Sequence, residues 1–244
     1  VAVAIVQTKV QITSTAATTN QLQFDSNVTV GNWVVIIWRQ GSGNRSPGIP
    51  VPSAGTWSGV QDFLTTNAAT ESRIYCWSAQ QTGSATNTYT TTIASSLTST
   101  GVMIGYELSG VDTGGTPRGS GATQNLTTTT SWNLIASPGV TLPSGGILIG
   151  AAGTTLLSVS WGTLTSPSGF TTRQNVNSGT ANSHWVGDNL TAGTNITGAA
   201  SNTTSRAIVT GYQIYLEEAA AGGQPYAKRL GGFPHNGFRR RGMY

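Results

Sequence analysis

Charge is the first thing this chain is short of. Asp, Glu, Lys and Arg together make up 8% of its 244 residues, against roughly 25% in an ordinary soluble domain. Sparse hydrophobicity would turn such a chain into a disordered one. Here 37% of residues are apolar, in short β-branched and aromatic runs such as Trp33–Trp38, so a fold with a neutral, hydroxyl-rich surface is expected. Cysteine is nearly missing as well. Cys76 stands alone, which excludes an intramolecular disulfide and a cysteine metal cage; its place in the apolar run Ile74–Trp77 predicts a buried, inert thiol. No apolar run nears the roughly 20 residues that span a bilayer, so no membrane partner is expected. The opening Val1–Val6 gives way to polar, strand-like sequence, which predicts no signal peptide, and a first residue of Val fits removal of an initiator Met.

Helical periodicity is also lacking: no stretch repeats apolar residues at i, i+3, i+4 and i+7 over three turns. What is there instead is a run of strand formers, then a cluster of Gly, Asn, Ser or Pro, again and again. That pattern predicts an all-β chain, an antiparallel β-sandwich of jelly-roll-like type. Strands are expected at 3–12, 33–39, 72–79, 86–93, 101–109, 131–136, 146–152, 181–187 and 205–216, with a long exposed loop from Gly41 to Gly59.

The two halves resemble each other. Tyr75-Cys-Trp77, a Gly-Ser-Ala-Thr-Asn turn and Gly101-Val-Met-Ile-Gly-Tyr-Glu-Leu108 are answered by His184-Trp185, Ala-Gly-Thr-Asn195 and Ala207-Ile-Val-Thr-Gly-Tyr-Gln-Ile214. Val34 matches Ile147, Trp77 matches Trp185 and Tyr106 matches Tyr212, as a duplication with altered loops would give. The body is read as 1–218, with halves of about 1–112 and 113–218. Each half is expected to supply a sheet with one apolar face, the two packing face to face in a single core. Two independent sandwiches, one per half, are the alternative.

Residues 219–224 (Ala-Ala-Ala-Gly-Gly-Gln) read as a linker, and 225–244 as an extended C-terminal arm. Up to residue 223 the chain holds seven Lys or Arg against eight acids, a sum of −1; the last 20 residues hold Lys228, Arg229, Arg239, Arg240 and Arg241 with no acid. The whole positive excess thus sits in the arm, and a nucleic-acid reading of the body fails. Tyr226, Phe233, Phe238 and Tyr244 alternate with those cations. Four Gly and two Pro forbid a helix or a central strand over most of the arm. Too short and glycine-rich to bury a core, it is expected to order by packing on a neighbouring subunit or on the body, since aromatic residues with Arg are what interfaces select. Nucleic acid is a second candidate partner, through the arm only.

Chemistry is hard to find. The histidines are His184 and His235; His184 and Asp188, four apart, would lie about 13 Å apart on one strand face, too far for a triad. Nothing singles out a pair among the eight acids for glycoside hydrolysis. Zinc lacks ligands, Asp112-Thr-Gly-Gly is a poor calcium loop, and no phosphate loop occurs. No catalytic residue, metal or cofactor is therefore expected. The seven tryptophans read mainly as core, with Trp57 and Trp161, beside Gly-rich loops, as candidate glycan-stacking platforms.

One resemblance follows from the order Gly31-Asn-Trp-Val-Val-Ile-Ile37, Gly55-Thr-Trp-Ser-Gly59, Ile74-Tyr-Cys-Trp-Ser-Ala79, Gly83-Ser-Ala-Thr-Asn-Thr-Tyr-Thr90 and Gly105-Tyr-Glu-Leu-Ser-Gly-Val-Asp112. It resembles β-sandwich structural proteins of tailed phages, over residues 30 to 112 and more loosely beyond. The ending, Arg229-Leu-Gly-Gly-Phe-Pro and Phe238-Arg-Arg-Arg-Gly-Met-Tyr244, resembles short C-terminal peptides of phage virion proteins. The resemblance implies a non-enzymatic virion component assembled in the host cytoplasm. It would decorate or cement a capsid, or belong to a neck, tail or fibre. Its implied partners are the major capsid protein or neighbouring structural subunits, with homo-oligomers expected. A carbohydrate-binding module is the remaining alternative.

Overall fold

The computed structural model describes residues 1–13, 17–40, 47–67, 72–93, 101–112, 118–120, 124–134, 139–154, 160–176 and 183–219. The linker from residue 220 and the whole arm, and with them every arm residue singled out above, lie outside the described residues. The described residues form strands and turns with no helix, all ladders being antiparallel.

The first half contributes β1 (Ala4–Thr13), β2 (Thr19–Val28), β3 (Trp33–Gln40), β4 (Val51–Pro52), β5 (Val60–Asn67), β6 (Ser72–Gln80), β7 (Thr86–Thr92) and β8 (Gly101–Ser109). A short β9 (Arg118–Ser120) follows. The second half contributes β10 (Gln124–Asn133), β11 (Val140–Leu142), β12 (Ile147–Thr154), β13 (Leu164–Thr165), β14 (Thr171–Val176), β15 (His184–Asn189), β16 (Gly193–Ile196) and β17 (Ala199–Leu216). The large sheets run β1-β8-β3-β6-β5 and β10-β17-β12-β15-β14. Strand for strand these are the same order, so the two large sheets share one topology. A small sheet, β2-β7-β4, backs the first and β11-β16 backs the second; β13 joins β17 instead of the small sheet. First and last strands lie side by side and the chain winds between two sheets, which is jelly-roll winding.

The ladders also correct one of the sequence matches. Ile36 pairs with Trp77 and Ala152 with Trp185, while Trp33 pairs with Leu108 and Ile149 with Ile214. Trp77 with Trp185 and Tyr106 with Tyr212 are then consistent, but Val34 answers to Gly150, three residues past Ile147. The earlier match set Val34, which faces its own small sheet, against Ile147, which faces the other half. Strands buried on both faces lack the alternation that would have revealed the slip.

Burial follows from that layering. Described positions in β3, β8, β12 and β15 are buried on both faces almost throughout. Between the large sheets lies an aliphatic core that includes Val35, Ile37, Ile74, Cys76 and Ile104 from one half and Ile147, Ile149, Val186 and Leu216 from the other. The outer cores are aromatic. Trp38, Trp57, Tyr75, Trp77, Tyr89 and Phe24 fill the first, and Trp132, Trp161 and Trp185 the second. Each half closes its own two-layer core, and the large sheets also pack on each other. The two halves are further tied at one end, where Val3 N–H donates to Gly145 O at 2.8 Å, Asp112 N–H to Glu217 O at 3.0 Å and Ala219 N–H to Gly110 O at 2.7 Å.

Candidate functional site

The candidate residues of the body were Trp57 and Trp161, and the structure withdraws both as glycan platforms. Trp57 is 4% exposed, gives its indole N–H to Ala79 O at 2.9 Å and meets Tyr89 edge-on at 5.4 Å. Trp161 is fully buried and stacked on Trp132 at 6.4 Å. An indole face already covered by protein has none left for a sugar. The expected exposed loop carrying Trp57 includes, in its described part, β4 and a bridge from Thr56 to Thr82, which turn the ring inward.

Several titratable groups are buried inside the body, His184, Asp188, Arg39 and Glu107 among them. His184 and Asp188 share the inward face of β15, opposite Gly153 and Ile149 on β12. Four residues of regular strand separate them by about 13 Å. His184 is fully buried and, held neutral by desolvation and then by the Arg39 charge, is pushed down to about 3. Arg39 reaches across from β3 and donates to Thr154 O at 2.9 Å through Nη2; Gly153 has no side chain to block it. Burial pushes this guanidinium down to about 9, so it stays cationic at neutral pH. Asp188, 1% exposed, takes two bonds from Arg173 on β14, at 2.5 Å from Nε and 3.1 Å from Nη2. That pairing raises Arg173. Tyr106, on β8 of the other half, is raised by burial and then by the Asp188 carboxylate.

Glu107 is likewise structural. It accepts from Gln7 Nε2 at 2.6 Å, Thr29 N–H at 2.8 Å and Asn32 Nδ2 at 2.6 Å, which clamps the turn between β2 and β3 against β1 and β8. Asp25 is tied to Lys9 at 2.5 Å. Among the described residues no three His, Cys, Asp or Glu gather as metal ligands.

The described residues include grooves on the surface. One, of about 330 Å³, borders Ser168, Asn189, Thr191 and Ile196. Asn189 there is occupied locally, accepting from Thr191 N–H at 2.8 Å. Another, of about 370 Å³, lies where the end of β1 meets the start of β2 and is lined by Gln11, Ile12, Ala17, Thr19, Asn20, Gln21 and Gln23. Sequence reasoning passed over it, because Thr19–Val28 was not recognised as a strand. The signal lay in Thr-Asn-Gln-Leu-Gln-Phe24, where reading a period of two puts Gln21 and Gln23 on one face and Leu22 and Phe24 on the other.

Searches of protein-family models, of curated proteins and of solved structures found no match to this chain.

Proposed function

We propose that this chain is a non-enzymatic virion structural protein that decorates or cements a phage capsid, the body sitting on the shell and residues 225–244 binding neighbouring subunits. The observation that carries the reading is the separation of charge and anchors. The body sums to −1, with seven cations against eight acids up to residue 223, while five cations and four aromatic rings stand in the last 20 residues without an acid. All seven tryptophans are committed to the folded cores. The aromatic groups for a partner must then come from elsewhere, and the arm has them. The resemblance to phage virion peptides supports the same assignment, and the closed packing around His184, Asp188 and Glu107 fits a protein that assembles instead of reacting.

The test is attachment. Full-length protein and a chain ending at residue 224 are each added to phage particles lacking the protein, and occupancy is counted by electron microscopy with a gold label. Loss of at least about tenfold in occupancy on truncation is expected, because several aromatic and Arg anchors are removed together. Unchanged occupancy would overturn the role of the arm. Label on tails or fibres instead of heads would replace decoration with the neck, tail or fibre reading.

A further inference from the structure

The groove beside β15 and β16 is walled by small and apolar residues, among them Gly169, Ala192, Gly193, Ile196 and Ala199, and no ionisable side chain borders it. Its deepest polar side chain is Asn189, 4% exposed, at the end of β15. His184 and Asp188 hold the inward face of that strand, so the alternation turns Asn189 outward, under the groove. Oδ1 accepts from Thr191 N–H at 2.8 Å, and among the described residues that is the side chain's only hydrogen bond. Nδ2 is left as a donor without an acceptor. It lies against Gly169, where an added Cβ would stand 3.0 Å away. Gly169, at φ +80°, closes a turn in which Phe170 N–H donates to Pro167 O at 3.2 Å. Such a turn demands glycine, and the missing side chain leaves Nδ2 facing the groove.

A lone donor among apolar walls suits one carbonyl oxygen flanked by apolar groups. Phosphate, sulfate or carboxylate would find no counter-charge. Ile196 already packs on Leu142 and Leu148, so an apolar side chain entering here extends an existing cluster. The volume, about 330 Å³, is at the small end of ligand-sized clefts, roughly 300–1,000 Å³.

The chain itself carries a segment of that chemistry. Leu230-Gly-Gly-Phe-Pro234 is the longest neutral stretch of the arm, bounded by Arg229 and His235. It offers backbone carbonyls, one aromatic ring and glycines that allow close approach to small-residue walls. The root of the arm is also near. Asn189 and Tyr215 are both register partners of Leu148, on its two sides, which sets them about 10 Å apart at roughly 4.8 Å per strand. From Tyr215 the chain runs on to Ala219, at most about 13 Å further, where its N–H donates to Gly110 O at 2.7 Å. Residues 220–229 span about 33 Å when extended, enough to bring Leu230 to the groove. A tether of that kind gives an effective concentration of roughly millimolar, so in dilute solution the body's own arm outcompetes that of a second copy.

We propose that residues 230–234 stow in this groove of their own body, with Phe233 against Ile196 and a backbone carbonyl on Asn189 Nδ2. The arm is then held back until a tighter partner releases it. The contact is separate from attachment to a shell, since it is read on the free protein with no particle present.

Asn236→Cys places a thiol beside the segment, Cys76 being buried, and a nitroxide is attached there in the full ¹⁵N-labelled chain. Paramagnetic broadening confined to the amides of residues 168–169 and 189–199, the Asn189 side chain included, is expected. Phe233→Ala in the labelled chain should remove most of it. Ala192→Trp, which fills the groove from an exposed position, should do the same. Broadening that is absent, spread evenly over the body or unmoved by both variants would overturn the proposal. Equal broadening of label-free ¹⁵N protein mixed with nitroxide-bearing, unenriched protein would put a second copy's arm in the groove, and would overturn stowing as well.

Discussion

At the scale of single residues, His184 is the most consequential group in the body. Both ring nitrogens lack a hydrogen-bond partner among the described residues, and the ring sits in full burial beside the Arg39 cation. Its folded pKa of about 3 lies below the ordinary unfolded value of about 6.5. Below pH 6.5 the unfolded chain therefore binds a proton that the folded chain refuses, and stability falls as pH falls. The slope from this residue approaches about 1.4 kcal/mol per pH unit between about pH 6 and pH 3. His184→Leu removes both that slope and two unmade hydrogen bonds. Urea unfolding at pH 7 and pH 4.5 should show the variant at least as stable as the parent at pH 7. The variant's advantage should grow by about 2–3 kcal/mol at pH 4.5. An advantage that does not grow on acidification would mean that His184 is protonated inside the fold.

At the scale of elements, close sheet packing depends on residues without side chains. Gly105 lies in the middle of β8, where an added Cβ would run into Leu22 Cδ2 and come within 2.6 Å of Phe24 Cζ on the covering small sheet. Gly105→Val should lower stability by about 1–3 kcal/mol through overpacking, seen as a lower urea midpoint with an unchanged slope. The elements differ in how far the sequence disclosed them. β3, β6, β8 and β12 stood out because burial on both faces demands unbroken apolar runs such as Trp33–Trp38. β2 and β14 did not. β2 gives the core only Leu22, Phe24 and Val28 in ten residues, and β14 (Thr-Thr-Arg-Gln-Asn-Val) is an edge strand with no fully buried residue. A strand that contributes few apolar groups reads as loop until its ladder partner is known. The same limit hid the groove beside β2, which is lined by Thr19, Gln21 and Gln23 of that strand. Trp57 and Trp161 stood out as candidate platforms for a related reason: nearby Gly and Pro suggest exposure, but a loop can also deliver a ring into a core, as both do here.

At the scale of the whole molecule, the question is whether the two halves behave as one cooperative unit. Each has its own aromatic core, which argues for independence. Against that, the aliphatic layer between the large sheets buries Val35, Ile37, Ile74 and Ile104 against Ile147, Ile149 and Val186. Arg39 and Tyr106 also project from the first half onto His184 and Asp188 of the second. Separation would expose the whole aliphatic layer at roughly 25 cal/mol for each Å² of apolar surface. Cys76 provides a probe, because it is the only thiol of the chain and is buried in that shared layer from the first-half side. If the halves unfold together, thiol labelling in urea should have the same midpoint as the loss of far-UV circular dichroism. Ile149→Ala, a cavity in the second half, should shift both midpoints downward by the same amount, for a cost of about 2–5 kcal/mol. Labelling that precedes the loss of strand signal would instead mean that the halves part while still folded. The inner layer would then be a weaker contact than its complete burial of Ile147, Ile149 and Val186 implies.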